Sequence, residues 1–319
     1  MDAKRELIFL QPVLKERIWG GSRLRTEWGY ESDLQGALGE CWAVSCNEQA
    51  DSVVTEGSFC GRHLSQLWQE QPELFGDSAG VDFPLLVKII DAGADLSVQV
   101  HPGDAYAAAH GRRQGKWECW YILDCPKGAE LIVGSRARSR EELARRVAKG
   151  EWASLLNRVP VRRGDFLRVD PGTLHAITAG VELLEVQQNS DVTYRIYDYD
   201  RLQNGRPREL HLQEGLEVTR VPYCITQEDV IHTEDAENVW QVLADTAQYR
   251  MQVCRVNGGA AVPTPAGNTF QIGSVLEGSG TIDGKEVRKG MHFIIPAGNG
   301  PKRAEGTMRI SLVAPAVTK

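Results

Sequence analysis

Three short fragments of the chain carry side chains that could bind a metal ion: Gln99-Val-His101, Lys116-Trp-Glu118 and Pro171-Gly-Thr-Leu-His175. Alternate residues of a β-strand point to one face, so Gln99 can converge with His101, and Lys116 shares a face with Glu118. His175 follows a Pro-Gly turn, from which its side chain can lean over a sheet. Two imidazoles, a carboxylate and a neutral amide oxygen suit a catalytic zinc site with room for substrate or water.

Each of these residues also has an ordinary structural explanation. A single histidine is most often a hydrogen-bonded, half-buried side chain, and a single glutamate is most often a surface charge. The four together, flanked by turn and strand patterns, favour the metal site. Gln99 is the weakest candidate ligand, because a neutral amide oxygen binds zinc poorly, and it could instead hydrogen-bond another ligand.

The composition argues against several classes of protein. A chain of 319 residues that is 42% hydrophobic can bury a sizeable core, in about two domains. The net charge is -7, and the absence of a long basic run argues against nucleic acid as a partner. No apolar run approaches the roughly 20 residues that cross a bilayer, and the first residues lack the apolar core of a signal peptide. Seven scattered cysteines are typical of a reduced, cytoplasmic protein.

Short apolar segments position the candidate ligands. They are separated by many of the 32 glycines and 14 prolines, which predicts a mostly β, turn-rich fold. Predicted strands cover residues 7–10, 39–45, 85–90, 96–100, 120–123, 130–133, 165–169 and 182–187. Leu64, Leu67 and Trp68 have helical spacing. A capping box of Ser139 with Glu142, and a stop at Gly150, predict a small helical insertion near 136–158 that covers one end of a barrel.

A weak internal repeat indicates two related β-barrel modules. Residues 161–172 resemble residues 287–298: both contain a turn glycine, a short apolar strand and a proline turn. His175 follows the first copy, whereas Asn299-Gly-Pro301 follows the second. We therefore expect a metal-binding module over residues 1–238 and a degenerate module over 239–319, structural in role and without metal. His292 lies in the second module without companion ligands at matching spacing, so we expect it to serve packing or solvent contact.

Seven motifs, in order along roughly the first two-thirds of the chain, resemble cupin barrels and, more narrowly, the short bacterial form of the type I mannose-6-phosphate isomerases. The motifs are Ile18-Trp-Gly-Gly21, Gly39-Glu-Cys-Trp42, Pro84-Leu-Leu-Val-Lys88, Leu96-Ser-Val-Gln-Val-His-Pro102, Gly115-Lys-Trp-Glu-Cys-Trp-Tyr121, Pro171-Gly-Thr-Leu-His-Ala176 and Asp191-Val-Thr-Tyr-Arg-Ile-Tyr-Asp-Tyr-Asp-Arg201. Trp117 departs from the family, which often has a small polar residue there. The resemblance implies two cupin-type (jelly-roll) modules. It also implies a zinc-dependent aldose–ketose isomerase that interconverts mannose 6-phosphate and fructose 6-phosphate through a cis-enediolate.

The resemblance also implies roles for individual residues. It places one Zn2+ ion per chain on Gln99, His101, Glu118 and His175, the set that the spacing had selected. It places Arg195 in the active site, where a guanidinium could stabilise an enediolate oxygen or hold phosphate. It implies that Lys116 binds phosphate or transfers a proton, and that Ser97 contacts phosphate.

The remaining candidates follow from position in the sequence. Glu185, Asp191, Glu40 and His101 are candidate bases, and the sequence does not choose among them. Glu185 is predicted to be a catalytic residue because its apolar neighbours suggest burial, which would raise its pKa towards a useful range. Asp191 is also expected to bind substrate. Trp19 could form a wall of the substrate pocket or belong to the core.

Two alternatives and the oligomeric state stay open. A metal-dependent cupin could act on another sugar phosphate or, with iron, as an oxygenase, and a cupin without enzymatic activity could sense sugars. The sequence is compatible with a monomer or a homodimer.

Overall fold

The computed structural model describes residues 6–47, 49–80 and 82–316. The strands of the first half are β1 (Ile8–Gln11), β2 (Val13–Gly21), β3 (Leu38–Val44), β4 (Cys46–Asn47), β5 (Ala50–Asp51), β6 (Val53–Val54), β7 (Leu85–Asp91), β8 (Val98–Val100), β9 (Glu118–Asp124), β10 (Glu130–Ser135), β11 (Leu156–Pro160) and β12 (Asp165–Val169). Those of the second half are β13 (His175–Ala176), β14 (Glu182–Gln188), β15 (Tyr194–Tyr197), β16 (Leu202–Gln203), β17 (Arg206–Pro207), β18 (Tyr223–Cys224), β19 (Ile231–His232), β20 (Gln241–Asp245), β21 (Tyr249–Val262), β22 (Gln271–Ile282), β23 (Lys285–Arg288), β24 (His292–Ile295) and β25 (Lys302–Pro315).

Helices are short and lie between the strands. The α-helices are α1 (Arg23–Thr26), α2 (Leu64–Glu70), α3 (Asp104–Ala109), α4 (Arg140–Ala148), α5 (Trp152–Leu155) and α6 (Leu212–Val218). Short 3-10 turns occur at Gly57–Phe59, Pro72–Leu74 and Gln227–Asp229. Within the described ranges, no helix is long and apolar enough to cross a membrane.

A seven-stranded antiparallel sheet, in the order β19-β12-β9-β14-β7-β3-β2, forms the middle layer of the molecule. Strands β3, β7 and β14 are buried along their whole length. One face of this sheet packs on the C-terminal sheet through Val87, Cys119 and Met251. The other face packs through Ile122 and Leu131 on a second sheet of the first module. Burial on both faces explains why these segments read as continuous apolar runs rather than as alternating patterns.

The second sheet of the first module has the order β11-β10-β13-β8-β15, with β18 paired to β10. The helix predicted after Ser139 is present behind this sheet as α4, whose first turn is capped by the Ser139 hydroxyl accepting from the Glu142 amide at 3.2 Å. Leu143 and Val147 on α4 pack with Ile132 of the sheet. The helices therefore cover the outer face of the sheet and leave its inner face to line a cavity.

The third sheet contains strands from both ends of the chain. Its order is β20-β21-β25-β22-β24-β1-β6, with β23 paired to β22. Strand β1 pairs with β24 in the register Ile8↔Ile294 and Leu10↔His292. The division of the chain at residue 238 stays a prediction, and the pairing adds that an N-terminal strand belongs to the C-terminal sheet.

Candidate metal centre and active-site cavity

A cavity of about 430 Å3 lies between the two sheets of the first module. Eight of the residues singled out from the sequence line it: Trp19, Ser97, Gln99, Lys116, His175, Glu185, Asp191 and Arg195. His101 and Glu118 are buried next to this lining, in contact with Lys116 and His175. The structure therefore brings all ten predicted site residues into one region.

Backbone pairing places the candidate metal ligands. His175 on β13 lies opposite Gln99 on β8, and Glu118 is the first residue of β9 in the facing sheet. The turn before His175 requires Gly172, whose φ is +82° and where a Cβ would lie 2.9 Å from the Val218 carbonyl oxygen. The chain can therefore reverse there and return His175 towards Glu118.

His101, Glu118 and His175 form a compact buried cluster. Their candidate ligand atoms all lie within 4.8 Å of one another. The Nε2 atom of His101 is 3.4 Å from Oε2 of Glu118, and Nε2 of His175 is 3.3 Å from Oε1 of the same carboxylate. These distances allow one ion to contact all three side chains.

Backbone carbonyls orient both imidazoles. Nδ1 of His101 donates to the Val192 carbonyl at 2.8 Å, and Nδ1 of His175 donates to the Thr173 carbonyl at 2.8 Å. With the proton on Nδ1, each Nε2 directs a lone pair towards Glu118. Burial lowers the pKa of His175 to about 4 and that of His101 well below its ordinary value. Both rings are therefore neutral at pH 7, as metal ligands must be.

Glu118 supplies the test of whether these residues fit a metal. Both of its carboxylate oxygens are buried and accept no hydrogen bond from the described residues. Burial raises the pKa of Glu118, although Lys116 opposes the shift with Nζ at 3.1 Å from Oε2. The Lys116 ammonium and the Gln99 amide are the nearest donors and lie at the edge of the cluster, so the converging imidazole nitrogens and carboxylate still leave acceptor lone pairs that a cation would satisfy. The cluster therefore fits a divalent metal ion.

Gln99 lies beside this cluster. Its Nε2 atom is 3.3 Å from Nε2 of His175, and its Oε1 atom is 3.5 Å from the Ser97 hydroxyl. Turning the amide by 180° brings Oε1 to the His175 side at no cost in packing, because the two ends have the same shape. Gln99 is thus within reach of an ion at the cluster, and its service as a ligand stays a prediction.

Glu185 has a pKa opposite to the one expected from its buried position. Burial raises its pKa, but Lys88, Lys116 and hydrogen bonds outweigh this effect, so that the net pKa is lowered. The Lys88 ammonium donates to Oε1 at 2.9 Å, and the Trp120 indole donates to Oε2 at 3.1 Å. The expectation of a raised pKa was therefore wrong, because it did not include a buried cation directly across the strand pair.

Lys88, Glu40 and Arg17 form a charged wall of the cavity. Of these three, only Glu40 was predicted to have a role, as a candidate base. Arg17 donates to Glu40 through Nε at 3.1 Å and Nη2 at 2.9 Å. Burial alone would raise the pKa of Glu40. Lys88 and Arg17 together have a larger effect in the opposite direction, so the net pKa is lowered. A lysine inside the apolar run Pro84–Ile90 was the available signal, since an ammonium is rarely buried without a partner.

Arg195 forms the opposite wall. Its backbone pairs with Gln99 in the register of β15 and β8. Its guanidinium donates to the Ser97 hydroxyl at 3.3 Å and to the Glu209 carbonyl at 2.8 Å. Burial lowers the pKa of Arg195, and the nearby guanidinium of Arg208 lowers it further. Positive charge is therefore concentrated on this side of the cavity.

The last two predicted contacts lie at the rim and in the core. Asp191 is exposed and accepts a hydrogen bond from the Gln49 amide at 2.6 Å. Trp19 lines the cavity and also packs in the core cluster with Ile90 and Leu96. The two interpretations of Trp19, pocket wall and core aromatic, therefore apply together.

Comparisons with known proteins agree with this geometry. Residues 7–121 match the family model described as phosphomannose isomerase type I, catalytic domain, and residues 246–315 match the model described as mannose-6-phosphate isomerase, cupin domain. The chain is 44% identical to the probable mannose-6-phosphate isomerase GmuF of Bacillus subtilis, over 97% of this chain and 99% of that protein. It is 45% identical to the mannose-6-phosphate isomerase ManA of the same organism, over 94% and 96% of the two chains.

A solved structure supports the same assignment. The crystal structure of the mannose 6-phosphate isomerase from Bacillus subtilis superposes with a TM-score of 0.86 at 39% identity, covering 97% of this chain and 99% of that one. The predicted mostly β, cupin-type fold is confirmed. The chain therefore belongs to the type I mannose-6-phosphate isomerase family of enzymes.

Proposed function

We propose that this chain interconverts mannose 6-phosphate and fructose 6-phosphate, with one zinc ion per chain as its cofactor. The observation that carries the proposal is the convergence of His101, Glu118 and His175 beside a cavity of about 430 Å3, in a chain of this family. Cationic side chains surround the same cavity, as an anionic sugar requires. The proposal thus joins a candidate metal cluster to a site of matching charge.

His101 Nε2, His175 Nε2 and the Glu118 carboxylate would hold the ion, with Gln99 Oε1 as a fourth ligand. Two imidazoles and a carboxylate are a donor set typical of catalytic zinc. When bound, the ion supplies Lewis-acid polarisation of the substrate oxygens. The same donor set also occurs with iron in oxygenases. The lysines and arginines around the cavity favour an anionic sugar as the substrate.

Proton transfer between C1 and C2 is assigned to Glu185 and Lys116. Glu185 is ionised at neutral pH, because its pKa is lowered, and it can take the proton from C2 of mannose 6-phosphate and return it to C1 in the cavity that it lines. Lys116 is the second group assigned to proton transfer. Its ammonium lies 3.2 Å from Nε2 of His101, next to the candidate metal position. Arg195 then stabilises the negative charge of the cis-enediolate. Ser97, Asp191 and Trp19 contact the bound sugar.

A coupled assay for fructose 6-phosphate formation from mannose 6-phosphate tests the proposal. The protein is assayed as purified, after treatment with a chelator, and after zinc or ferrous iron is added back. We expect chelation to abolish turnover and zinc to restore it. Failure of the zinc-loaded protein to form fructose 6-phosphate would contradict the proposal. Oxygen consumption that depends on iron would support the oxygenase alternative.

A further inference from the structure

A short hairpin at the mouth of the cavity carries a second arginine towards the substrate space. Strands β16 and β17 are joined by Asn204 and Gly205, which have φ values of +54° and +77°, as a two-residue hairpin turn requires. Gln203 on the first strand and Arg208, just after the second strand, both line the cavity.

Asp198 holds this arginine in place. Its carboxylate is only 5% exposed and accepts from Nε of Arg208 at 2.7 Å and also from Nη2. The same carboxylate accepts from Nη2 of Arg201 at 2.6 Å. Hydrogen bonds from both Nε and Nη2 fix the plane of the Arg208 guanidinium, so its remaining edge has a defined direction.

The two arginines bound to Asp198 differ in their remaining donors. Arg201 donates from Nε to the Asp198 carbonyl at 3.2 Å and from Nη1 to the Asp95 carbonyl, and it does not line the cavity. Arg208, which does line the cavity, donates from Nη1 to none of the described residues. Arg201 is thus fully engaged within the protein, whereas Arg208 has a nitrogen available to a ligand.

The charge on this wall is not balanced by the nearby buried carboxylate. Arg195 and Arg208 line the wall and Arg201 lies behind it, so three positive charges face one buried carboxylate, that of Asp198. Glu209 is near Arg195, but its side chain is 82% exposed, so solvent screens it strongly. A phosphoryl group carries about -1.5 to -2 charges at pH 7 and several strong acceptor oxygens. This wall therefore fits the phosphoryl end of a sugar phosphate.

The strand order places this wall at a suitable distance from the metal cluster. His175 on β13 pairs with Gln99 on β8, which pairs with Arg195 on β15. Neighbouring strands lie about 4.8 Å apart, so the arginine wall begins roughly 10 Å from the His175 strand. A hexose 6-phosphate has its reacting C1 and C2 at one end and its phosphoryl group at the other. The order of the groups in the cavity matches the order in the substrate.

We propose that Arg208 binds the phosphoryl group of the substrate through Nη1, and that Asp198 is the positioning residue that directs it there. Arg201 has a structural role only. This inference rests on the proposed function, since it names the residue that selects a phosphorylated sugar over a free one.

The test compares Arg208→Gln with the matched control Arg201→Gln, because both variants remove one guanidinium from Asp198. For Arg208→Gln we expect the KM for mannose 6-phosphate to rise about 10- to 100-fold, the usual effect of losing a hydrogen bond to a charged group, with kcat within about threefold. For Arg201→Gln we expect a lower melting temperature and an unchanged KM. Arg208→Lys keeps the charge but loses the fork, and we expect an intermediate KM.

Inorganic phosphate provides a readout that does not depend on turnover. In titration calorimetry on the zinc-loaded protein, we expect phosphate to bind the parent and Arg201→Gln alike and to bind Arg208→Gln at least about tenfold more weakly. An unchanged KM and unchanged phosphate affinity in a folded Arg208→Gln variant would overturn the inference. Equal KM effects in the two glutamine variants would also overturn it, because Arg208 would then act only through Asp198. If the parent fails to isomerise mannose 6-phosphate, the proposed function falls, and the calorimetric comparison still decides the role of Arg208.

Discussion

The buried histidines of the two modules use their ring nitrogens differently. His101 and His175 each use Nδ1 on a backbone carbonyl and leave Nε2 facing the Glu118 carboxylate. In the C-terminal sheet, His292 is equally buried, but Nδ1 contacts the Ser274 hydroxyl at 2.9 Å and Nε2 contacts the Tyr30 hydroxyl at 2.8 Å. Among the described residues, the Nε2 atoms of His101 and His175 therefore converge on a carboxylate, with only the movable Lys116 and Gln99 side chains as nearby donors, whereas both nitrogens of His292 face hydroxyls and no carboxylate. Convergence of an imidazole nitrogen with other ligand atoms is what a metal site requires.

The cavities of the two modules differ in the same way. The C-terminal module has a cavity of about 270 Å3 lined by prolines, threonines and amides, together with Lys302. Across the described parts of the chain, the cluster of His101, Glu118 and His175 is the group of histidine, cysteine and carboxylate side chains that could hold a metal. That the C-terminal module binds no metal stays a prediction, and the two histidine environments provide its test.

The largest expected difference between the modules is in bound zinc and turnover after one histidine is replaced in each. In His101→Ala or His175→Ala, we expect most of the bound zinc to be lost. Turnover should fall by more than the roughly 10²- to 10³-fold that follows removal of one charge stabiliser. In His292→Ala, we expect one zinc per chain and near-parental turnover, with a lower melting temperature because two hydroxyls lose their partner. Elemental analysis of the purified proteins and the coupled assay measure both effects.

Two results would contradict this comparison of the modules. Full zinc content in both His101→Ala and His175→Ala would remove the metal centre from the first module. Anomalous scattering at the zinc edge that shows an ion near His292 would place a metal in the second.

Two arginines differ in the same way between the cavity and the junction of the modules, and we expect smaller losses of turnover from their substitution than from loss of a metal ligand. Arg195 lines the first cavity, whereas Arg309 on β25 joins the modules by donating to the Tyr121 hydroxyl at 3.0 Å and to Asp235 at 2.8 Å. We expect Arg195→Lys to retain fold and zinc while losing on the order of a hundredfold in turnover, because lysine lacks the planar fork. Arg309→Lys should lower the melting temperature and leave turnover unchanged. Steady-state kinetics and thermal unfolding of both variants separate these roles, and a fully active Arg195→Lys variant would make Arg195 structural.

Acid should affect the stability of the two histidine environments differently, while leaving turnover at neutral pH unchanged. Burial lowers the pKa of His292 to about 3, so the folded protein keeps it neutral while the unfolded chain protonates it near pH 6.5. Its contribution to stability is complete above pH 6.5 and declines by about 1.4 kcal/mol per pH unit as the pH falls towards 3. His292→Gln should therefore reduce the loss of stability between pH 6 and 4.

Added zinc should change the pH dependence of stability only through His101 and His175. The ion competes with protons for His101 and His175, so zinc should raise stability at neutral pH and lose this effect in acid. Urea unfolding of the metal-free protein and of its His292→Gln variant, at several pH values, measures the first effect, and added zinc measures the second. Equal pH slopes in the metal-free parent and variant would contradict the account of His292.

The sequence predicted local features well and long-range pairings poorly. The Ser139 cap gave the start of α4, and strand alternation placed Lys116 and Glu118 on one face. Burial alone suggested a raised pKa for Glu185, but the strand register sets Lys88 directly opposite it, from 97 residues away in the chain. No local pattern specifies such a partner. Sequence spacing therefore identified the candidate ligands that the fold brings together, whereas the electrostatics of the cavity required the fold.

The same limit applies to the module boundary. Residues 7–10 read as an apolar strand next to the first module, and nothing in their pattern indicates that β1 pairs with β24 as well as with the nearby β6. Only the register Ile8↔Ile294 assigns this strand to the C-terminal sheet.

The position of β1 also determines when the C-terminal sheet can form during synthesis. Strand β1 lies between β24 and β6 in the sheet, and its partner β24 follows about 280 residues later in the chain. The C-terminal sheet therefore cannot close until β24 has been synthesised, and such long-range pairings slow folding because a large loop must be ordered first. Until then β1 exposes apolar side chains and unpaired edges, which favour aggregation. Synthesis of β24, rather than completion of the first module, is the step that allows β1 to reach its place in the sheet.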